Sequence, residues 1–174
     1  MKEEKALSPA FCMFAGILSV ILLTALDQYT KVLAVRHLRW EEPIILIEDV
    51  LELKYLENRG IAFGMFQGKI SVFVVLCILF FLAAIYLFIR IPKTRYYLPL
   101  ILILFLMVSG AAGNFIDRAV RGAVVDFIYV SLIDFPIFNL ADIYVVCSGI
   151  LLILFVCLKY KDEDFGFIKP GCKG

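Results

Sequence analysis

The chain is poor in the residues on which most enzyme chemistries depend, and these shortages exclude several classes of protein. Its single histidine, His37, has no ligand partner at metal spacing, and no HExxH motif is present. A Ser–His nucleophilic pair is disfavoured for the same reason. The five cysteines form no CxxC pair, so neither a disulfide framework nor a metal framework is expected. No glycine-rich phosphate loop or basic stripe is present, and we expect no cofactor and no nucleic-acid partner.

Long uncharged apolar runs are what the sequence has instead. The chain is 63% hydrophobic, whereas soluble domains are nearer half. A helix needs about 20 apolar residues to cross the hydrocarbon core of a bilayer. We therefore predict an integral membrane protein, mainly α, that forms a single domain over residues 1–174. Its transmembrane helices are predicted at about residues 10–30, 70–90, 96–117 and 137–158.

The distribution of charge predicts how these helices are oriented. The connection between the second and third helices contains Arg90, Lys93 and Arg95 and no acid, and the tail from Lys159 is rich in lysine. The two other stretches between the uncharged runs, residues 27–69 and 117–142, contain more acid than base. Because positively charged loops remain in the cytoplasm, both termini are predicted to be cytoplasmic. The connections before the second helix and before the fourth helix are then predicted to lie outside.

The segment from about residue 41 to residue 66 is predicted to be a small extracytoplasmic β region. Its partial alternation of apolar and polar residues indicates two or three strands. A turn at residues 58–60 leads into an apolar loop that ends near Phe66. This loop either anchors the sheet or covers a site, and we favour the second interpretation. A further extended segment at residues 122–130 would aim Asp126 away from its apolar neighbours.

Polar side chains concentrate between Ser109 and Asp142, beside apolar runs. Ionisable groups at membrane depth are costly and commonly mark function. Asn114 and Arg118 are spaced to share one face of the third helix, and the small residues at 110–113 predict close approach of another helix. Asn139 and Asp142, three residues apart, are predicted to share a face of the fourth helix.

Among the acids of this stretch, Asp126, Asp134 and Asp142 lack a nearby cation, and Asp134 lies in a turn where solvation explains it. Two carboxylates that face a substrate amide can share one proton, so that one activates water and the other protonates the carbonyl or the leaving amine. Asp126 and Asp142 have no Lys or Arg within four residues, and we predict that they form such a dyad. Asp117 has Arg121 at i+4 and is predicted to be structural.

Asp27 and Lys31 are spaced as a helical ion pair with the acid first. This pair either clasps the outer end of the first helix or contacts the substrate directly, and the sequence leaves both open.

Five short blocks resemble the signature blocks of the lipoprotein signal peptidase family, also called signal peptidase II. They are DQYTK (27–31), NRGIAFG (58–64), GNFIDR (113–118), VVDF (124–127) and FNLAD (138–142), in the family's order. The resemblance implies an aspartic endopeptidase of the bacterial inner membrane that acts on diacylglyceryl-modified prolipoproteins. It would remove the signal peptide by cutting before the lipidated cysteine, and globomycin and membrane lipids would be further ligands.

The same resemblance implies roles for individual residues. Asp126 and Asp142 would be the catalytic pair near the outer face, and residues 41–66 would form the family's β-cradle. The substrate pocket would be lined by Asn58, Gly60, Asn114, Arg118 and Asn139.

Two other interpretations compete with the peptidase. Acids inside a membrane also serve proton relays, so a small proton-coupled transporter is one alternative. A structural subunit whose acids are paired with Lys31, Arg118 or Arg121 is the other. The halves of the chain lack visible similarity and the polar groups cluster at one end, which favours the peptidase.

Overall fold

The computed structural model describes residues 6–60 and 70–168, and four of its helices are long and apolar enough to cross a membrane. This confirms the predicted fold class. The helices are α1 (Pro9–His37), α2 (Ile70–Arg90), α3 (Leu98–Arg121) and α4 (Leu140–Leu158).

Helices α1 and α3 continue beyond their predicted membrane-spanning segments, and both extensions have physical causes. The last turn of α1 continues to His37 because Ala34 and Leu38 pack in a buried cluster with Val125. Helix α3 continues to Arg121 and ends where Gly122 adopts a left-handed conformation (φ 73°), which favours glycine. Helix α4 begins at Leu140, later than predicted, because Asn139 caps its first turn.

A three-stranded antiparallel sheet lies at one end of the bundle. Its strands are β1 (Ile44–Ile47), β2 (Leu51–Asn58) and β3 (Val124–Tyr129), in the spatial order β1-β2-β3. Two strands therefore come from the predicted β region, and the third comes from the connection between α3 and α4. Residues 61–66, which the sequence assigns to the β region and its covering loop, lie outside the described residues. The β2–β3 register pairs Leu56 with Asp126, which places Asn58 close to that acid.

The opposite end of the bundle is closed by a separate apolar cluster. A short 3₁₀ helix (Asp162–Ile168) follows α4 and packs against the ends of α2 and α3. Its Asp164 accepts a hydrogen bond from the Tyr96 hydroxyl at 2.8 Å. The buried members of the cluster are Ile91, Leu100, Ile101, Tyr160 and Phe167.

Helix α3 approaches its neighbours closely where the sequence has small residues, as predicted. A Cβ atom added to Gly110 would lie 2.4 Å from the backbone oxygen of Ala141 on α4. One added to Gly113 would lie 2.4 Å from Oδ2 of Asp27 on α1. These contacts bring polar groups of α1, α3 and α4 together at the sheet end.

We expect Gly110→Ala to destabilise the protein, because the new methyl group must displace the backbone of α4. Overpacking of this kind costs about 1–3 kcal/mol. Gly149→Ala is the matched control, since nothing lies within 4 Å of its added Cβ and both variants gain the same helix propensity. Thermal unfolding in detergent would compare them, and equal midpoints would contradict the close contact of α3 with α4.

Candidate active site at the sheet end of the helix bundle

Asp126 is a buried carboxylate in the middle of β3. It is 2% exposed, which is unusual for an acid. Its Oδ1 accepts a hydrogen bond from the Asn139 side-chain amide at 2.6 Å, and its Oδ2 accepts one from the Asn58 amide at 3.0 Å. Each oxygen thus accepts a hydrogen bond from a neutral amide.

Asp142 is held at the start of α4 by a capping box. The Asn139 side chain accepts a hydrogen bond from the Asp142 backbone N–H at 3.0 Å, and Asp142 Oδ2 accepts one from the Asn139 backbone N–H at 3.1 Å. Asn139 has extended backbone angles and precedes the helix. The expectation that Asn139 and Asp142 share a helical face was therefore wrong. A spacing of three residues also fits a capping box, in which the first residue lies before the helix.

Asn139 connects the two acids. It is fully buried, and its side-chain amide contacts Asp126 while its backbone contacts Asp142. The amide also donates to Asn114 Oδ1 at 3.1 Å, and the Asn114 amide donates to Asp142 Oδ1 at 2.7 Å. Two acids that are 16 residues apart in the sequence therefore belong to one hydrogen-bond network, in which Asp126 is buried and Asp142 is partly exposed.

The environment of Asp126 favours its protonated form. Burial is the largest cause and raises the pKa of Asp126 to about 6. The nearby carboxylate of Asp142 acts in the same direction, whereas the hydrogen bonds from Asn58 and Asn139 act against it. A carboxyl group that exchanges its proton near this pH is suited to acid–base catalysis.

Lys31 lies at the centre of a second buried cluster. Its Nζ is 2.9 Å from Asp27 Oδ2, 2.9 Å from Asp117 Oδ2 and 2.9 Å from Asn114 Oδ1. The two acids and the lysine have no exposed side-chain surface. The predicted helical ion pair is therefore present, and its burial between α1 and α3 favours the clasp over direct contact with substrate. Asp117 also has the predicted partner Arg121, with Nη1 3.4 Å from Oδ1.

Lys31 also fixes the orientation of the Asn114 amide. An ammonium group only donates hydrogen bonds, so the Asn114 carbonyl must face Lys31 and its NH₂ must face Asp142. Lys31 is thus connected to Asp142 of the candidate dyad through one intervening residue, Asn114.

Asp27 makes a contact that the sequence did not reveal. Its Oδ1 accepts the backbone N–H of Ala141 at 2.9 Å, one of the unpaired donors in the first turn of α4. Gln28 donates to Asp27 Oδ2 at 3.1 Å and to the Gly113 carbonyl at 3.0 Å. Helix α1 is therefore fastened to both α3 and α4 beside the site. Local spacing carries no signal for these long-range contacts.

Arg118 reaches Asp126 through the turn after β2. Its Nη2 donates to the Gly60 carbonyl at 2.8 Å, and its guanidinium lies 4.2 Å from the centre of the Phe73 ring. The Gly60 N–H donates to Asn58 Oδ1 at 3.0 Å, which leaves the Asn58 NH₂ for Asp126.

The structure brings all the sequence-predicted site residues to the sheet end of the bundle. They form two linked networks, one around Asp126 and Asp142 and the other around Lys31. Among the described residues, no group of three or more His, Cys, Asp or Glu side chains could hold a metal ion.

Four apolar helices with a carboxylate network at one end define the class of a membrane enzyme, and solved structures agree with this. Two structures described as a bacterial membrane enzyme, determined by the in meso method, superpose with TM-scores of 0.77 and 0.76. The first is 28% identical and covers 98% of this chain and 99% of its own. The second is 31% identical and covers 92% of this chain and 100% of its own.

The sequence comparisons identify the family. A sequence model of signal peptidase (SPase) II matches residues 19–158. A lipoprotein signal peptidase of Streptococcus pyogenes serotype M5 (strain Manfredo) is 41% identical over 150 residues, which are 86% of this chain and 95% of the relative. A relative from serotype M3 (strain SSI-1) is 40% identical over the same shares. The chain belongs to the signal peptidase II family and is a peptidase, which removes the transporter and structural-subunit interpretations.

Proposed function

We propose that this protein is an aspartic endopeptidase that removes the signal peptide from diacylglyceryl-modified bacterial prolipoproteins. It cuts before the lipidated cysteine, with Asp126 and Asp142 as the catalytic pair. The observation that carries the proposal is the contact of Asn139 with both carboxylates, since it fixes two acids from separate elements in one site. Membership of the signal peptidase II family supports the substrate class.

The two acids divide the work according to their surroundings. Asp126, whose pKa is raised, donates its proton to the oxygen of the scissile carbonyl. Asp142 is partly exposed and accepts a proton from the attacking water. The water oxygen bonds to the carbonyl carbon and gives a tetrahedral intermediate. The C–N bond then breaks as Asp142 returns its proton to the leaving amine, and the proton on the intermediate's hydroxyl goes back to Asp126.

The depth of the site suits a lipidated substrate. Helix α4 has 19 residues and is about 28 Å long, so Asp142 in its first turn lies near the boundary of a hydrocarbon core about 30 Å thick. Acyl chains on the cysteine could remain in the bilayer while water reaches the scissile bond. The turn at residues 58–60 borders this position through the Asn58 contact with Asp126.

Cleavage by the purified protein tests the proposal. A diacylated prolipoprotein and the same precursor without lipid would be incubated with the protein in detergent, with and without globomycin. We expect cleavage of the diacylated form alone, a product that begins at the lipidated cysteine, and inhibition by globomycin. Equal cleavage of both precursors, or a product with a different first residue, would contradict the proposed specificity.

The proposal also places both termini in the cytoplasm and the site at the outer face, as the loop charges indicate. A cysteine at Arg95 or at Glu48 would probe this in a background without native cysteines, since both positions are exposed. We expect an impermeant thiol reagent to label position 48 in intact cells and position 95 only after the membrane is opened. The reverse pattern would refute the orientation.

A further inference from the structure

A cavity lies behind the sheet, away from the candidate dyad. Its volume is about 330 Å³, at the lower end of the range for small-molecule sites, about 300–1,000 Å³. Tyr55 and Glu57 of β2 and Val125 of β3 line it, together with the end of α1. Successive side chains of a strand point to opposite faces, so Asn58 and Asp126 turn towards the catalytic network instead. Strands β2 and β3 therefore lie between this cavity and the catalytic network.

Three arginines give this cavity a positive charge. Arg36, Arg39 and Arg121 line it, and Glu57 is the acid among its lining residues. Arg39 Nη2 lies 3.2 Å from Glu57 Oε1, and Arg121 is paired with the Asp117 carboxylate that Lys31 also contacts. Within residues 6–60 and 70–168, Arg36 forms no ion pair with a carboxylate. The cavity, which we call the arginine cavity, is thus incompletely neutralised.

The arginine cavity lies at the level of lipid headgroups. Helix α1 has 29 residues and is about 43 Å long, which matches a bilayer with its headgroup layers, about 40–45 Å. Arg36 is in the last turn of this helix. Trp40, the only tryptophan in the chain, follows it and is 90% exposed, with the Arg39 guanidinium 5.2 Å from the centre of its ring. Exposed tryptophan is characteristic of the membrane–water interface.

We propose that the arginine cavity binds the phosphate of an anionic glycerophospholipid headgroup. Guanidinium groups bind phosphate oxygens through paired N–H donors, and three of them converge here, from α1, from the turn after α1 and from α3. A bound headgroup connects the end of α1 to the end of α3 beside the sheet. This lipid site lies on the other face of the sheet from the candidate dyad and takes no part in the proteolytic reaction. Free phosphate shares the same chemistry, and the interfacial position of Trp40 favours the lipid as its source.

Thermal unfolding of the intact protein in detergent tests the proposal. The protein would be titrated with phosphatidylglycerol, with phosphatidylcholine and with inorganic phosphate. The variants are Arg36→Gln and Arg39→Gln, and Lys54→Gln is the control, because it removes one positive charge from an exposed position of β2 that does not line the cavity. Loss of one arginine that contacts the bound phosphate is expected to lower the affinity about fivefold.

We expect phosphatidylglycerol to raise the unfolding temperature and phosphatidylcholine to leave it unchanged. The half-saturating concentration of phosphatidylglycerol should rise about fivefold in each arginine variant and remain unchanged in Lys54→Gln. Equal effects of the two lipids on the wild-type protein would overturn the proposal, as would arginine variants that respond like the wild type. Protection by inorganic phosphate as large as that by phosphatidylglycerol, with the same variant dependence, would overturn the lipid assignment.

Discussion

Replacement of Asp126 or Asp142 by asparagine is expected to reduce prolipoprotein cleavage by on the order of 10³-fold or more while the protein remains folded. An amide exchanges no proton, so the first change removes the acid that protonates the carbonyl and the second removes the base that activates water and protonates the leaving amine. The hydrogen-bond donors around both positions, from Asn58, Asn114 and Asn139, remain in place. Single-turnover rates with a diacylated substrate would measure the loss.

Asp134→Asn is the matched control for these two variants. Asp134 is an exposed acid in the same connection between α3 and α4 and has a left-handed backbone (φ 48°), which asparagine tolerates. We expect its cleavage rate to equal that of the wild type. Near-normal turnover by Asp126→Asn or by Asp142→Asn, in protein with an unchanged unfolding temperature, would remove that residue from the dyad.

The pH dependence of stability offers an independent check on Asp126. Its pKa is raised from 3.8 in the reference state to about 6 in the folded protein, mainly by burial. Between these values the folded state holds a proton that the unfolded state has released, so the free energy of unfolding falls as pH rises from about 4 to about 6. The decrease attributable to Asp126 is about 3 kcal/mol. Asp126→Asn should gain stability relative to the wild type between pH 4 and pH 7, and an unchanged difference would contradict the raised pKa.

The parts of this structure that the sequence predicts are those that depend on neighbouring residues. Uncharged runs predict four helices because spanning a membrane is a local requirement of length and hydropathy. The i,i+4 spacing predicts the pairing of Lys31 with Asp27, and the local absence of cations predicts Asp126 and Asp142 once Asp134 is assigned to a solvated turn. Each of these signals lies within a few residues of the group concerned.

The remaining features depend on tertiary contacts that no local pattern encodes. The pairing of β3 with β2 joins segments almost 70 residues apart, and it is this register that brings Asn58 to Asp126. The Asp27 contact with the Ala141 N–H spans 114 positions. The position of Asn139 was predicted wrongly for a different reason, since a spacing of three residues fits a helical face and a capping box equally well.

We expect Lys31→Met to lower both stability and cleavage, because Lys31 compensates two buried carboxylates and orients the Asn114 amide. Without the ammonium, Asp27 and Asp117 remain buried as carboxylates with less compensation, and breaking a buried pair in this way costs about 3–5 kcal/mol. The Asn114 amide is then free to rotate and withdraw its N–H from Asp142. Loss of a hydrogen bond to a charged group predicts a further tenfold to hundredfold decrease, roughly, in the cleavage rate of the folded fraction.

A second substitution separates these two effects. The double variant Lys31→Met with Asp117→Asn removes one of the uncompensated charges, so its unfolding temperature should recover in part. Its cleavage rate should stay low, because no ammonium orients Asn114 in either variant. Recovery of cleavage in proportion to stability would mean that Lys31 acts only as a clasp between helices. A lasting defect in kcat in the stabilised protein, with KM unchanged, would identify Lys31 as a positioning residue for Asp142.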